Sequence, residues 1–186
     1  MNPQDFLTRD QFKTLLDNAG TPMHKALLLL MGDCGMRVSE VACLQAGDVD
    51  PLKKWIYVKH GKGDKKRTVV GTEAVFKAIE DLQVREGYLF PGRQSGHIST
   101  HAIGYILNEI ADRAGLQEVR QGKERQRKKI TAHLLRHSHA SWLLDCNVPV
   151  SDVQAQLGHV SLATTGLYLL RRPNHRTESF RRCGWI

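Results

Sequence analysis

Residues 131–144, TAHLLRHSHASWLL, carry the pattern of apolar and charged residues that decides how this sequence folds. The spacing predicts a helix with His133, Arg136 and His137 on one face at i, i+3 and i+4, while the leucines and the tryptophan face a core. A guanidinium group offers a bidentate fork to a phosphate, and the nearby helix N-terminus adds a favourable dipole. This face therefore suits an anion, and a solvated polar face is the alternative interpretation.

The same helix contains the pattern H-x3-H-x-H, formed by His133, His137 and His139, which raises a metal site as a second alternative. No glutamate follows the first histidine, as it does in HExxH, and the neighbouring Arg136 would repel a cation. Both features argue against a metal site in this helix. We expect a protein with no metal ion and no other cofactor.

Length and composition predict one globular domain with a single core. The chain has 186 residues, 41% of them hydrophobic and 25% charged, which argues against disorder. The longest apolar run, residues 26–31, is too short to span a bilayer, and the N-terminus has no secretory signal, so we expect a soluble, cytoplasmic protein. Four cysteines without CxxC spacing predict neither a disulfide framework nor a zinc site: Cys34, Cys43, Cys146 and Cys183.

The order of local signals predicts a mainly α fold with one small antiparallel β-sheet (α+β). Thr8 and Gln11 form a capping box, and apolar periods predict further helices at about 22–31, 72–83, 99–114, 151–157 and 161–170. The β-rich runs 55–58 and 67–70 flank a glycine-containing hairpin signal. We predict an exposed, mobile loop at 118–129, a second capping box beginning at Ser151, and a left-handed residue at Gly158.

Basic residues, which give the chain a net charge of +8, concentrate in three clusters. The clusters favour a surface for a nucleic-acid backbone, and a basic protein without a polyanionic partner is the alternative. Two of the clusters, at 59–67 and 120–129, contain the candidate DNA-binding residues: Lys59, Lys65, Lys66, Arg67, Arg120, Lys123, Arg125, Arg127, Lys128 and Lys129. The third cluster lies between Arg171 and Arg182.

Five further residues could carry chemistry, although each has a simpler interpretation. Arg37 and Glu40 stand at i, i+3 and could form only a surface ion pair, worth at most about 1 kcal/mol. Lys62 lies between two glycines, as in an ordinary turn, and His159 follows a helix end. Tyr168 lies on a helix with an internal glycine, which costs roughly 1 kcal/mol and would suit a nucleophile-bearing segment that moves.

Taken in order, these blocks resemble the tyrosine recombinase (phage integrase) family. The resemblance extends from about residue 7 to residue 170. Five blocks carry it: GMRVSE at 35–40, GKGDKKRTV at 61–69, HLLRH at 133–137, LGH at 157–159 and TTGLY at 164–168.

The resemblance implies a site-specific recombinase domain that cleaves and rejoins DNA through a covalent 3′-phosphotyrosyl intermediate, without metal or ATP. It implies double-stranded DNA as partner and a homo-tetramer on DNA, with a monomeric free state left open. It assigns catalytic roles to six residues: Arg37, Lys62, His133, Arg136, His159 and Tyr168. It gives supporting roles to Glu40 and His137.

Those roles are chemically coherent. Tyr168 would attack phosphorus, and Arg37 and Arg136 would clamp the nonbridging oxygens, where negative charge increases in the transition state. Lys62 would protonate the leaving 5′-oxygen, and His133 would accept the tyrosyl proton or orient the phosphate. The phosphotyrosyl bond conserves the energy of the phosphodiester, so the reaction is reversible.

Two expectations concern the limits of the resemblance. We expect the N-terminal DNA-gripping domain of the family to be absent, through excision or in a naturally short member, and residues 171–186 to form a C-terminal tail. A type IB topoisomerase-like nicking-closing enzyme and a non-catalytic DNA-binding module of the same fold remain alternatives. A metal-dependent hydrolase is the most distant one.

Overall fold

The computed structural model describes residues 6–59, 66–92, 96–116, 118–121, 124–127 and 129–158, with only the backbone described at 118–121 and 124–127. Seven helices lie in this part of the chain: α1 Arg9–Asp17, α2 Pro22–Gly32, α3 Val38–Ala42, α4 Glu73–Glu80, α5 Thr100–Arg113, α6 Ala132–Asp145 and α7 Val150–Leu157. Seven short strands accompany them: β1 Val49–Asp50, β2 Trp55–Val58, β3 Arg67–Val70, β4 Pro91–Gly92, β5 Gly96–His97, β6 Glu118–Gln121 and β7 Glu124–Arg127.

The mainly helical fold class is confirmed, but the described strands form three antiparallel sheets rather than one. Strands β1, β2 and β3 form a three-stranded sheet in that order, in which Ile56 of β2 pairs with Val69 of β3. The pairs β4–β5 and β6–β7 form two further ladders. The β2–β3 hairpin and the helices predicted at 22–31, 72–83 and 99–114 are present within a few residues of their expected bounds.

Helix α2 forms the centre of the fold. Every residue from Ala26 to Gly32 is buried, and α1, α3, α4, α5 and α6 all pack against this helix. A helix that is apolar on all sides lowers its free energy only when other elements cover it completely. Thr21 caps the helix N-terminus and Pro22 occupies its first turn, where a missing N–H costs nothing. Because α2 is held on all sides by its neighbours, the position of the turn that follows it is also held.

The segment before α1 fixes the rotation of α6. The backbone N–H of Leu7 donates to Ser138 Oγ at 2.8 Å, and the Trp142 indole donates to the Leu7 carbonyl at 2.9 Å. The Trp142 ring also packs against Phe12, with ring centroids 5.2 Å apart. Because these contacts hold one side of α6, its opposite side, which carries Arg136, is directed toward the turn after α2 and the end of α7.

The loop predicted at 118–129 is wrong, because strands β6 and β7 pair there in an antiparallel ladder. The ladder is made by backbone N–H and C=O groups, so it forms without the apolar alternation that predicts most strands. The capping box predicted at Ser151 is also wrong. Helix α7 begins at Val150 with Pro149 as its N-cap, and Ser151 Oγ donates to Asp152 instead.

Two predicted local features are confirmed, and one predicted helix lies outside the described residues. Thr8 and Gln11 form the capping box of α1. The predicted left-handed residue Gly158 has φ 64° and ψ 45°. The predicted helix at 161–170 lies outside the described residues. Among those residues, no helix combines the length and apolarity needed to span a membrane. Cys34, Cys43 and Cys146 are free thiols, and Cys183 is not among the described residues.

Candidate active site

Three arginines from different elements converge on the C-terminal turn of α7. Each donates to one of three successive carbonyls: Arg67 Nε to Gln156 at 3.1 Å, Arg136 Nη2 to Leu157 at 2.5 Å, and Arg37 Nη2 to Gly158 at 3.2 Å. The last carbonyls of a helix have no partner within the helix and form the negative end of its dipole. A guanidinium group donates hydrogen bonds to these carbonyls, and its positive charge interacts favourably with the negative end of the dipole. Three arginines from distant parts of the chain therefore bind at this turn.

Arg136 is the most deeply placed of the three. It projects from α6, is buried, and donates through Nη1 to the carbonyl of Gly35 at 2.6 Å as well as to Leu157. Gly35 directly follows the C-terminal region of α2 and has φ +64°, a conformation that favours glycine. The guanidinium of Arg136 thus joins α2, α6 and α7 at one point.

Arg37 and Glu40 stand at the start of α3. The backbone N–H of Arg37 donates to Glu40 Oε2 at 2.8 Å, and its Nη1 donates to Oε1 at 2.9 Å. Arg67 donates to both oxygens of the same carboxylate, at 2.7 and 2.8 Å. Burial alone would raise the pKa of Glu40, but the hydrogen bonds and charges of Arg67 and Arg37 outweigh it and hold this pKa below its ordinary value.

The guanidinium group of Arg67, a predicted DNA-binding residue, is directed into the protein. Its side chain is 10% exposed and lies against Glu40 and α7. On β3, Arg67 is on the same face as the buried Val69, whereas Thr68 and Val70 face solvent. The alternation of a strand places residues i and i+2 on one side. This period-2 signal could have identified Arg67 as an inward residue.

Three of the remaining predicted DNA-binding residues have side chains that the structure describes, and these three lie at the surface. Lys66 and Lys129 are exposed, and Lys59 pairs with Asp48 at 2.5 Å. Arg120, Arg125 and Arg127 lie on β6 and β7, where only the backbone is described. The other predicted site residues lie outside the described residues: Lys62, Lys65, Lys123, Lys128, His159 and Tyr168.

His133 and His137 meet on the outer face of α6, with their Nε2 atoms 2.5 Å apart. One ring must donate and the other accept in such a contact. Partial burial, followed by the positive charge of Arg136, lowers the pKa of His133. A neutral His133 ring is therefore favoured at neutral pH.

His139 points away from this pair and into the core, so the H-x3-H-x-H pattern does not form a chelate. Its side chain lies against Gly35, and neither ring nitrogen has a partner within hydrogen-bonding geometry. Within the described part of the chain, no group of three or more potential metal ligands occurs. The prediction from sequence did not identify His139 as a core residue.

Gln156 is a further residue that the sequence did not single out. Its side-chain oxygen accepts from the backbone N–H of Val70 at 2.9 Å, and its Nε2 donates to the Val70 carbonyl at 2.8 Å. Nε2 also lies 3.3 Å from the carbonyl of Cys34, to which it donates. One amide thus pairs the edge of β3 as a neighbouring strand would, and it attaches the end of α7 to the sheet.

His139 makes the stability of the fold depend on pH. Burial and then the charge of Arg9, with a smaller contribution from Arg136, lower its pKa from 6.5 to about 4, although the nearby Gly32 carbonyl acts in the opposite direction. Below pH 6.5 the unfolded chain binds a proton that the folded protein does not, so this stability is complete above pH 6.5 and is lost toward pH 4. We expect a loss of about 3 kcal/mol across this window.

The measurement is urea unfolding at a series of pH values for the wild-type protein and His139→Leu. The variant should lose most of the slope between these two pH values. His101→Leu, a change at an exposed histidine of α5, should retain the wild-type slope. Equal slopes for the wild-type protein and His139→Leu would contradict the prediction.

The comparisons with known proteins agree with this architecture. Residues 5–175 match the sequence profile of the phage integrase family. The tyrosine recombinase XerC of Corynebacterium efficiens is 35% identical over 163 residues, which are 84% of this chain and 49% of that protein. A crystal structure of XerA recombinase superposes with a TM-score of 0.78 and 29% identity, covering 95% of this chain and 64% of that one.

A more distant structure extends the likeness of fold. The Tn1549 transposon integrase in complex with transposon right end DNA has a TM-score of 0.76 at 19% identity, covering 98% of this chain and 67% of that chain. The chain belongs to the phage integrase family, and the resemblance to tyrosine recombinases seen in the sequence is confirmed. This chain spans less than two thirds of the length of the curated relatives that it matches.

Proposed function

We propose that this chain is the catalytic domain of a site-specific tyrosine recombinase that acts on double-stranded DNA in the cytoplasm. The observation that carries the proposal is that Arg37 and Arg136 donate to adjacent carbonyls, those of Gly158 and Leu157. Two fixed guanidinium groups at neighbouring positions can hold the nonbridging oxygens of one phosphate without reorganising as charge develops. The Tn1549 integrase, which shares the fold, is bound to DNA in its structure, and this supports DNA as the partner.

The reaction follows from the residues that the family resemblance assigns. The phenolic oxygen of Tyr168 forms a bond to phosphorus while the bond from phosphorus to the 5′-oxygen breaks. His133, whose lowered pKa favours a neutral ring, accepts the tyrosyl proton. Lys62 donates a proton to the leaving 5′-oxygen, and His159 hydrogen-bonds a nonbridging oxygen. Attack by a 5′-hydroxyl from another duplex then completes strand exchange, and four protomers on two duplexes would supply the required geometry.

A nicked suicide DNA substrate tests the chemistry through the change Tyr168→Phe. The wild-type protein should form a protein–DNA adduct that survives denaturant, whereas Tyr168→Phe should form none, because it lacks the attacking oxygen. Denaturing gel electrophoresis with labelled DNA measures the adduct.

Two controls sharpen the result. Tyr105→Phe removes a hydroxyl from an exposed residue of α5 and should leave adduct formation unchanged. An adduct that persists in Tyr168→Phe would refute the assigned nucleophile. Relaxation of supercoiled plasmid without strand exchange would favour the topoisomerase-like alternative, and DNA binding without any adduct would favour the non-catalytic module.

The basic β6–β7 hairpin is proposed to contact the DNA backbone. Changing Arg120, Arg125 and Arg127 to glutamine should weaken binding about equally on all sequences. The slope of log K against log salt should also become shallower, by about 0.9 for each phosphate that the variant no longer neutralises. Fluorescence anisotropy at several salt concentrations measures both effects.

A matched control removes the same charge from exposed positions of α1, α2 and α4, through Lys13→Gln, Lys25→Gln and Lys77→Gln. This triple variant should keep a steeper salt dependence than the hairpin variant. A hairpin variant with the wild-type salt slope would exclude the proposed contacts.

A further inference from the structure

Arg67 uses its whole guanidinium group inside the protein. Nη1 and Nη2 donate to the two oxygens of Glu40, and Nε donates to the Gln156 carbonyl. The side chain is 10% exposed, and all three of its nitrogens have partners within the protein. Arg67 is therefore placed to hold Glu40 and the end of α7.

The C-terminal turn of α7 is built closely around the same side chain. A Cβ atom on Gly158 would lie 2.8 Å from Arg67 Cδ and 3.0 Å from Nε. The absence of a side chain at Gly158 therefore lets the turn approach Arg67. The carbonyl of Gly158 in turn accepts from Arg37.

Glu40 is the second link between Arg67 and Arg37. The carboxylate lies between the two arginines and is 1% exposed, so it must be neutralised by partners within the fold. Arg67 holds both of its oxygens, whereas the Arg37 side chain donates to only one of them. Arg37 consequently keeps a side chain that is 26% exposed, at the edge where a phosphate could bind.

We propose that Arg67 is a positioning residue that sets the place and effective charge of Arg37, through Glu40 and through the end of α7. The inference rests on the proposed function, because its consequence is measured in DNA cleavage. Without Arg67, the carboxylate of Glu40 would be neutralised by Arg37 alone and would draw that guanidinium away from the phosphate. The turn that also receives Arg136 would lose one of its links to β3, the bond from Arg67 Nε to the Gln156 carbonyl, and would keep the Gln156 side-chain bonds to Val70.

The test separates cleavage from binding in the variant Arg67→Met. At saturating suicide DNA, its first-order rate of adduct formation should fall about a hundredfold, because a displaced Arg37 would no longer donate to the transition state, and loss of one such donor has an effect of about this size. Its Kd for DNA and the salt slope of binding should stay close to the wild-type values. Arg67→Lys, which keeps the charge but loses the bidentate fork, should recover part of the rate.

Coupling to Arg37 gives a readout that a general loss of packing would not produce. In a protein that already carries Arg37→Lys, the further change Arg67→Met should lower the rate far less than it does in the wild-type background. Arg85→Met, which removes an exposed arginine outside the cluster, should keep wild-type rate and affinity. If Arg67→Met does not fold, Arg67→Lys carries the same test.

Each contrary outcome has a distinct meaning. Equal cleavage rates for the wild-type protein, Arg67→Met and Arg67→Lys would overturn this inference and leave the proposed function intact. A lower salt slope together with weaker binding would also overturn it, because Arg67 would then contact DNA. Fully additive rate losses with Arg37→Lys would exclude action through Arg37. A wild-type protein that forms no adduct on any substrate would overturn the proposed function, and the inference with it.

Discussion

Replacement of Arg136 by lysine is expected to lower the rate of adduct formation by about a thousandfold. Arg136 donates through separate nitrogens to the carbonyls of Gly35 and Leu157, and in the proposed reaction it also faces the phosphate. A lysine ammonium on a flexible chain lacks the planar fork that reaches these groups together. The measurement is single-turnover cleavage of suicide DNA at saturating protein.

The control for this change is Arg113→Lys. Arg113 also donates to successive backbone carbonyls, those of Asn18 and Ala19, but it does so at the junction of α5 with the end of α1. Its replacement should leave the cleavage rate within about threefold of the wild-type value, since its bonds do not face the phosphate site. A cleavage rate in Arg136→Lys close to that of Arg113→Lys would contradict a role of Arg136 at the phosphate.

Gly35→Ala is expected to lower the free energy of unfolding by about 3 kcal/mol. A Cβ atom at this position would lie 2.5 Å from His139 Cδ2 and 2.8 Å from Leu157 Cδ2. These neighbours belong to α6 and α7, so relief of the clash would move the two helices whose groups surround Arg136. The positive φ of +64° adds backbone strain. Urea unfolding measures the change.

Gly115→Ala separates strain from overlap. Gly115 has φ +66°, but an added Cβ would meet nothing within 4 Å. We expect it to cost only about 1 kcal/mol, the strain of a left-handed alanine. Because Gly35 also accepts from Arg136, Gly35→Ala should reduce cleavage even at temperatures where the variant stays folded. Equal destabilisation by the two changes would show that the overlap at Gly35 is relieved without cost.

Local signals predicted much of the fold because their causes are local. The capping box of Thr8 and Gln11, the break after α2 and the left-handed Gly158 depend on residues within a few positions of one another. The β2–β3 pair followed from two short β-rich runs around a turn signal. The apolar spacing at 131–144 predicts the helix that the structure places at Ala132–Asp145, although its most consequential face is polar.

The errors arose where the physical cause was distant or lay in the backbone. Strands β6 and β7 are held by backbone pairing within a charged segment, so no apolar period indicated them. Arg67 was placed in a basic cluster by its neighbours in sequence, whereas its real partners are Glu40 and Gln156. His139 was counted with two surface histidines, although the rotation of α6 turns its ring into the core.

The amino-acid sequence by itself determined the succession of helices and strands, the basic character of the chain and the blocks that mark its family. Tertiary structure alone decided which arginines would share one turn. Arg37 reaches a carbonyl 121 residues away, and Arg136 reaches back 101 residues to Gly35. Contacts at such separations depend on how α2, α6 and α7 pack, since packing rather than spacing along the chain sets the distance between their ends.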